Sequence, residues 1–169
     1  MLKQLKAAML VFACSSMALA QTPGQTGKYA EIVLTLSQYS KARSLALLNG
    51  SESFYFPELD IFNPDGELVY GRNHSIENAR ILRNLPSILK NPHTADQSYK
   101  LSAFVKALPA TQQNRVAMLV SARQPLLFSV LLGQCAGCEA QEIALDSVKQ
   151  QLLDQGISIL IIHVVLSGQ

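Results

Sequence analysis

Two cysteines stand two residues apart, Cys135 and Cys138, in the stretch LLGQCAGCEAQEIALD. Thiols at that spacing support three chemistries. They can exchange disulfides with a partner, close into a structural bond, or share a soft metal such as Cu(I). The chain holds no second CxxC, and Cys138 is followed by Glu139 rather than His, so covalent haem attachment is excluded by pattern. A redox pair also needs a reactive setting. A thiol in the first turn of a helix meets unpaired backbone N–H groups and the positive end of the helix dipole, which stabilise its thiolate. In that setting Cys135 would attack a disulfide, and Cys138, one turn along, would resolve the mixed disulfide.

The flanking residues are expected to build this setting. Leu126–Leu132 is a continuous apolar run, the pattern of a buried strand. From Cys138 to Gln155, Ala140, Ile143, Ala144, Val148 and Leu152 fall at helical spacing, with Gly156 as the stop. Ile157–Leu166 is rich in β-branched residues and reads as a second buried strand. Residues 126–166 are therefore expected to form one β-α-β unit with the cysteine pair at the strand-to-helix turn. His163 sits within the apolar strand and reads as a core or edge histidine rather than a ligand. His74 and His93 fall in polar, loop-like contexts and read as solvated.

The first twenty residues, MLKQLKAAMLVFACSSMALA, carry Lys3 and Lys6, then an apolar stretch, then Ala18-Leu19-Ala20. This is the pattern of a secretory signal peptide cleaved after Ala20, too short and wrongly flanked for a membrane span. A lipoprotein reading through Cys14 competes less well, because Phe12 is bulky for a lipidation box. Export to a bacterial periplasm is the expectation in both cases. Lys3 and Lys6 account for the whole net charge of +2. The mature chain is therefore balanced, and with no basic cluster interleaved with aromatics nothing points to nucleic acid. Cleavage also removes Cys14, leaving Cys135 and Cys138 as the only thiols, which an oxidising compartment would join. In that setting the glycosylation sequons at Asn49 and Asn73 carry no weight.

The rest of the chain supplies the elements that must support the pair. Residues 21–28 read as a flexible leader. Tyr29, Ile32, Val33, Leu36, Tyr39, Leu45 and Leu48 favour a helix from Tyr29 to Leu48, with a short strand at Ile32–Leu36 as the competing reading. In FYFPELDIFNPDGELVYG, residues 54–71, apolar alternation on both sides of Asn63-Pro64-Asp65-Gly66 predicts a β-hairpin. A helix is expected from Ser75 to Leu85, with Pro86 kinking or ending it. Residues 90–103 read as a linker or surface loop, and Phe104–Ala122 as helix in two pieces around Pro109.

The segment LLFSVLLGQCAGCEAQEIALDSVKQQLLDQGISILIIHVV resembles the CxxC–helix–strand core of thioredoxins, especially periplasmic or membrane-anchored ones linked to cytochrome maturation. Glu142, Leu145 and Gly156 are similarly spaced. Two positions depart from that family. Gln134 stands where Trp usually precedes the first cysteine, and Glu139 where a basic residue often follows the second, its charge disfavouring a thiolate. FPELDIFNPDGELVYG resembles the family's cis-proline strand and hairpin, with Pro57 matching the cis-proline. That half normally follows the CxxC, whereas here it precedes it.

The resemblance implies a thioredoxin-like three-layer α/β/α fold with a mixed sheet, circularly permuted. It would form a single domain over residues 29–169: a hairpin and cis-Pro half (29–89), a linker and helix (90–125) and a CxxC half (126–169). It further implies an exported thiol–disulfide oxidoreductase acting on protein thiols or disulfides of the cell envelope, with Cys135 and Cys138 catalytic and Phe56 and Pro57 facing substrate. The disulfide itself carries the electrons, so no organic cofactor, metal or membrane span of the mature chain is implied. The alternatives are a non-catalytic thioredoxin-like interaction module with a structural disulfide, and a copper-binding protein.

Overall fold

In this computed structural model the described residues are 26–47, 55–72, 75–90 and 99–166. The expected signal segment, Cys14, most of the expected leader, both sequon asparagines, His74 and His93 lie outside them. The elements run β1 (Tyr29–Thr35), α1 (Leu36–Ala46), β2 (Glu58–Phe62), β3 (Leu68–Arg72), α2 (Ser75–Lys90), α3 (Leu101–Ala107), α4 (Ala110–Val120), β4 (Leu126–Leu132), α5 (Ala136–Asp154) and β5 (Ser158–Val165). The strands form one mixed sheet in the order β1-β5-β4-β2-β3. β5 runs parallel to both β1 and β4, while β2 runs antiparallel to β4 and β3.

Helices cover both faces of the sheet. Alternate residues along each strand point to opposite sides, and two hydrophobic clusters result. One joins Ile32, Leu34, Phe62, Phe128 and Ile162 to Tyr39 of α1, Phe104 of α3 and Val116 of α4. The other joins Leu59, Ile61, Leu127 and Ile159 to Leu82 and Leu85 of α2 and to Cys138, Leu145 and Leu152 of α5. The fold is thus mixed α/β, with a five-stranded sheet flanked by helices.

The expected hairpin and β-α-β unit form as the sequence implies. Asn63 Oδ1 accepts from the backbone N–H groups of Asp65 and Glu67 at 3.0 and 2.9 Å, closing the turn between β2 and β3. After α5, Gly156 takes φ +77°, and the N–H of Ile157 bonds back to Leu152 O at 3.0 Å. A left-handed glycine with that back-bond ends the helix and turns the chain into β5.

Three expectations need correction. Tyr29–Thr35 is a strand, and the helix begins only at Leu36. Ala30, Ile32 and Leu34 are buried at period two, and pairing with β5, far away in sequence, fixes the choice. Thr35 then caps α1 in a capping box: its Oγ1 accepts from Gln38 N at 3.2 Å, and Gln38 Oε1 accepts from Thr35 N at 2.9 Å. Second, α2 continues past Pro86 to Lys90. Third, the end of the expected linker is structured: Tyr99 is buried, bridges to Leu47, and leads into α3 at Leu101. The two helical pieces around Pro109 are α3 and α4.

Candidate functional site

The central apolar strand β4 delivers the chain to Gly133 and Gln134 at one end of the sheet, and Gln134 turns it in the left-handed region at φ +62°. Cys135 follows in extended conformation as the N-cap of α5. Its Sγ accepts from Cys138 N at 3.2 Å, and its carbonyl accepts from Cys138 N and Glu139 N at 2.9 and 3.1 Å. Cys135 and Cys138 are joined in a disulfide with their Cα atoms 5.1 Å apart. The two sulfurs are not equivalent. Cys135 is half-buried, whereas Cys138 is only 4% exposed and its Sγ accepts from Leu132 N at 3.3 Å. An incoming thiol or disulfide therefore meets Cys135 first.

The Phe56–Pro57 peptide bond is cis. Glu58 pairs with Val130 in the antiparallel β2–β4 ladder. The Phe56–Pro57 bond thus precedes β2 at the end of the sheet where β4 runs out toward Cys135. The four site residues expected from sequence, Cys135, Cys138, Phe56 and Pro57, are thus gathered at one end of the sheet. Pro57 is buried; Phe56 is half-buried, packs against both hydrophobic clusters, and stands 5.9 Å from the Tyr39 ring.

Polar side chains that sequence reading missed hold this end together. Gln141, three residues past Cys138 and fully buried, donates from Nε2 to Glu58 O at 2.9 Å and to Ser129 Oγ at 3.0 Å. Its Oε1 accepts from Asn78 Nδ2 at 2.7 Å, and Asn78 Oδ1 accepts from the Tyr70 hydroxyl at 3.3 Å. Buried amides of this kind are stable only when their hydrogen bonds are met. The network ties α5, α2, β4 and β2 into one support.

On the opposite face, Arg43 of α1 is ion-paired with both Glu58 and Asp60, and the Tyr39 hydroxyl donates to Glu58. All four are buried, and Arg43 also lies over the Tyr99 ring at 4.9 Å. Burial alone would weaken Arg43's hold on its proton, but Asp60 and Glu58 outweigh it and hold that affinity above the ordinary guanidinium range. Burial, with Glu58 adding to it, pushes the Tyr39 phenol well up. Tyr99 is also pushed up, by burial first, against the opposing pull of Arg43.

An open cavity of about 430 Å³ adjoins the disulfide, lined by Gln134, Cys135, Cys138, Glu139, Glu142 and His163 among others. His163 therefore has a place that its apolar neighbours conceal: it is half-buried on the wall of the disulfide's cavity. Its Nε2 is bonded to Glu31 Oε1 on the neighbouring β1. The Tyr29 hydroxyl donates to Glu31 Oε2 at 2.7 Å. That bond, outweighing the opposing effect of partial burial and helped by His163, holds the Glu31 carboxyl below its usual range. The usable signal was period two along β5, which puts His163 on the same face as Ile159 and Ile161, toward α5.

Among the described residues no three His, Cys, Asp or Glu side chains gather as a metal-holding group, and no helix is long and apolar enough to cross a membrane. Comparison with protein-family models, with curated proteins and with solved structures finds no match for the chain.

Proposed function

We propose that this protein is an exported thiol–disulfide oxidoreductase of thioredoxin-like fold that exchanges disulfides with protein partners in the cell envelope. The observation that carries the reading is the asymmetric disulfide at the N-cap of α5, accessible at Cys135 and buried at Cys138, with a cis-proline brought to the same end of the sheet. In the reduced protein the Cys135 thiolate attacks a partner disulfide, and Cys138 then displaces the partner's thiol and restores the internal bond. Phe56 and Pro57 border the approach to Cys135 and would contact the partner chain. The N-terminal sequence is the basis for placing the mature protein in the periplasm.

The order of elements supports the permuted form of the fold. The strand that carries the cysteine pair, β4, is flanked on one side by the parallel β5 and on the other by the antiparallel β2, which the cis-proline leads in. The β2–β3 hairpin and α2 come before β4 in the chain, and α1 takes the place of the helix ahead of the proline. Chain connections of this kind are rearranged at low cost when the joined ends lie near each other on the surface.

Replacing the resolving thiol tests the reading. The Cys138→Ala variant, expressed with its leader, should accumulate mixed disulfides through Cys135 that reductant releases, and recovering none would overturn the proposal. A second reading, a non-catalytic module with a structural disulfide, is favoured by Glu139 and Glu142, whose charges beside the pair disfavour a thiolate. A reduction potential below about −300 mV would decide for that reading.

A further inference from the structure

Disulfide exchange moves protons as well as electrons. The resolving thiol must lose a proton before it can attack, and the departing thiolate must gain one. Cys138 is only 4% exposed and meets the outside through the open cavity, so a group on the cavity wall is placed to take up its proton. Three titratable side chains other than the cysteines line that wall: Glu139, Glu142 and His163. Histidine is the side chain whose ordinary titration spans neutral pH, which suits it to accept a proton and return it.

His163 is also held in a defined pose. Its Nε2 faces Glu31 Oε1, and Glu31 is in turn fixed by the Tyr29 hydroxyl. A ring that donates from Nε2 to a carboxylate keeps the lone pair on Nδ1, and the carboxylate stabilises the imidazolium once Nδ1 is protonated. The charged and titratable groups around the ring are Glu31 and Tyr29 of β1 and Glu139, Glu142, Asp146 and Lys149 of α5. β4 offers Leu131 opposite it in register. Lys149 is drawn over the Tyr29 ring, 3.9 Å from its centroid.

We propose that His163 is the proton acceptor and donor of the disulfide, oriented by Glu31. The idea rests on the redox reading above. With the partner joined to Cys135 as a mixed disulfide, the Cys138 proton passes across the cavity to His163 Nδ1. The Cys138 thiolate attacks Cys135 Sγ, forming the internal S–S bond and breaking the bond to the partner. The partner leaves as a thiolate and takes the proton from the imidazolium. Two electrons pass from the cysteine pair to the partner disulfide, and the proton count closes.

The reduced mature protein mixed with dithionitrobenzoate releases one coloured thiolate on attack by Cys135 and a second on closure by Cys138, so the two steps are read separately. The second release in the wild type should bend with pH, levelling off once the accepting group is free of its proton. In His163→Gln it should slow by about 10²-fold at neutral pH, the usual span of a lost general base, and rise steadily with hydroxide instead. In Glu31→Gln the second release should also slow, because the ring loses the carboxylate that orients it. A merely structural role for the ring would change neither profile. His163→Gln closing at the wild-type rate with the wild-type bend overturns the relay and leaves the redox reading intact. A wild type whose first release is no faster than that of a free dithiol overturns the redox reading, and the relay with it.

Discussion

Gln141→Leu should weaken the protein out of proportion to the size of the change. The side chain is fully buried, and its amide makes three hydrogen bonds: to Glu58 O at 2.9 Å, to Ser129 Oγ at 3.0 Å, and from Asn78 Nδ2 at 2.7 Å. Leucine fills a similar volume but offers none of them. Asn78 and Ser129, both fully buried, are then left with unmet polar groups. At about 1–3 kcal/mol for each buried group without a partner, less the gain from leucine's apolar surface, the loss comes to about 2–4 kcal/mol. For a domain of this size that is a fall in Tm of roughly 5–15 °C. Thermal unfolding followed by far-UV circular dichroism on the oxidised protein reads it directly. The cause is isolated by adding Asn78→Leu and Ser129→Ala, since replacing those two polar side chains by apolar groups removes the unmet groups they carry and should return much of the lost stability. A single variant that melts within about 1 °C of wild type, or a triple variant no better than the single, would refute a supporting role for the network.

Two further perturbations probe the opposite face. Arg43→Met leaves Glu58 and Asp60 as buried carboxylates without their cation, a loss of about 3–5 kcal/mol at neutral pH. Those carboxyls would then hold their protons to higher pH than in the unfolded chain. The variant should therefore be most stable in acid and lose stability as pH rises above about 4, and a Tm indifferent to pH between acid and neutral would refute it. At the other extreme, burial holds the Tyr39 and Tyr99 phenols above their ordinary value. The unfolded chain ionises first, so the stability they carry is whole below about pH 10 and is lost as pH rises from there. The tyrosinate absorbance that belongs to Tyr39 and Tyr99 should appear only together with the loss of circular dichroism, and full ionisation of all five tyrosines in a native-like spectrum would contradict this.

The parts of the fold that sequence made legible are those whose signal is local. The Asn63–Gly66 turn, the apolar run of β4, the helical period of α5 and the Gly156 stop each carry their instruction within a few residues. Tyr29–Thr35 misleads because its apolar positions satisfy both periods, and β5, more than 120 residues away, decides between them. The same distance hides much of the candidate site. Gln141 is an ordinary polar residue on a helix until Ser129, Asn78 and Glu58 are brought beside it. Arg43, Glu58 and Asp60 carry no sequence sign of burial, because burial of a charge appears only when its partners are known. Pro57 was legible as a cis-proline only through the resemblance of its strand and hairpin to a known segment, since its own residues fit an ordinary turn proline equally well. His163 was hidden by its apolar neighbours, since strand periodicity assigns a face but not what lies across it.

β2 explains why these distant residues converge on the cysteine pair. Its side chains alternate, so Leu59 and Ile61 enter the α2–α5 layer while Glu58, Asp60 and Phe62 face α1 and α3. Glu58 is held from both directions. Its carboxylate is fixed by Arg43 and Tyr39 on one face, and its backbone carbonyl receives Gln141 from the other. The residue next to Pro57 is therefore clamped between the two helical layers, and one arm of the clamp starts three residues from Cys138. A buried ion pair is a poor source of net stability, because the desolvation of both charges offsets most of their attraction. Its use here is positional: it fixes where the strand that follows the cis bond must lie. Rotation or sliding of β2 against β4 would break the Arg43 pairs and the Gln141 bonds together. The accessible sulfur of Cys135 and the Phe56–Pro57 edge are thus kept in one arrangement.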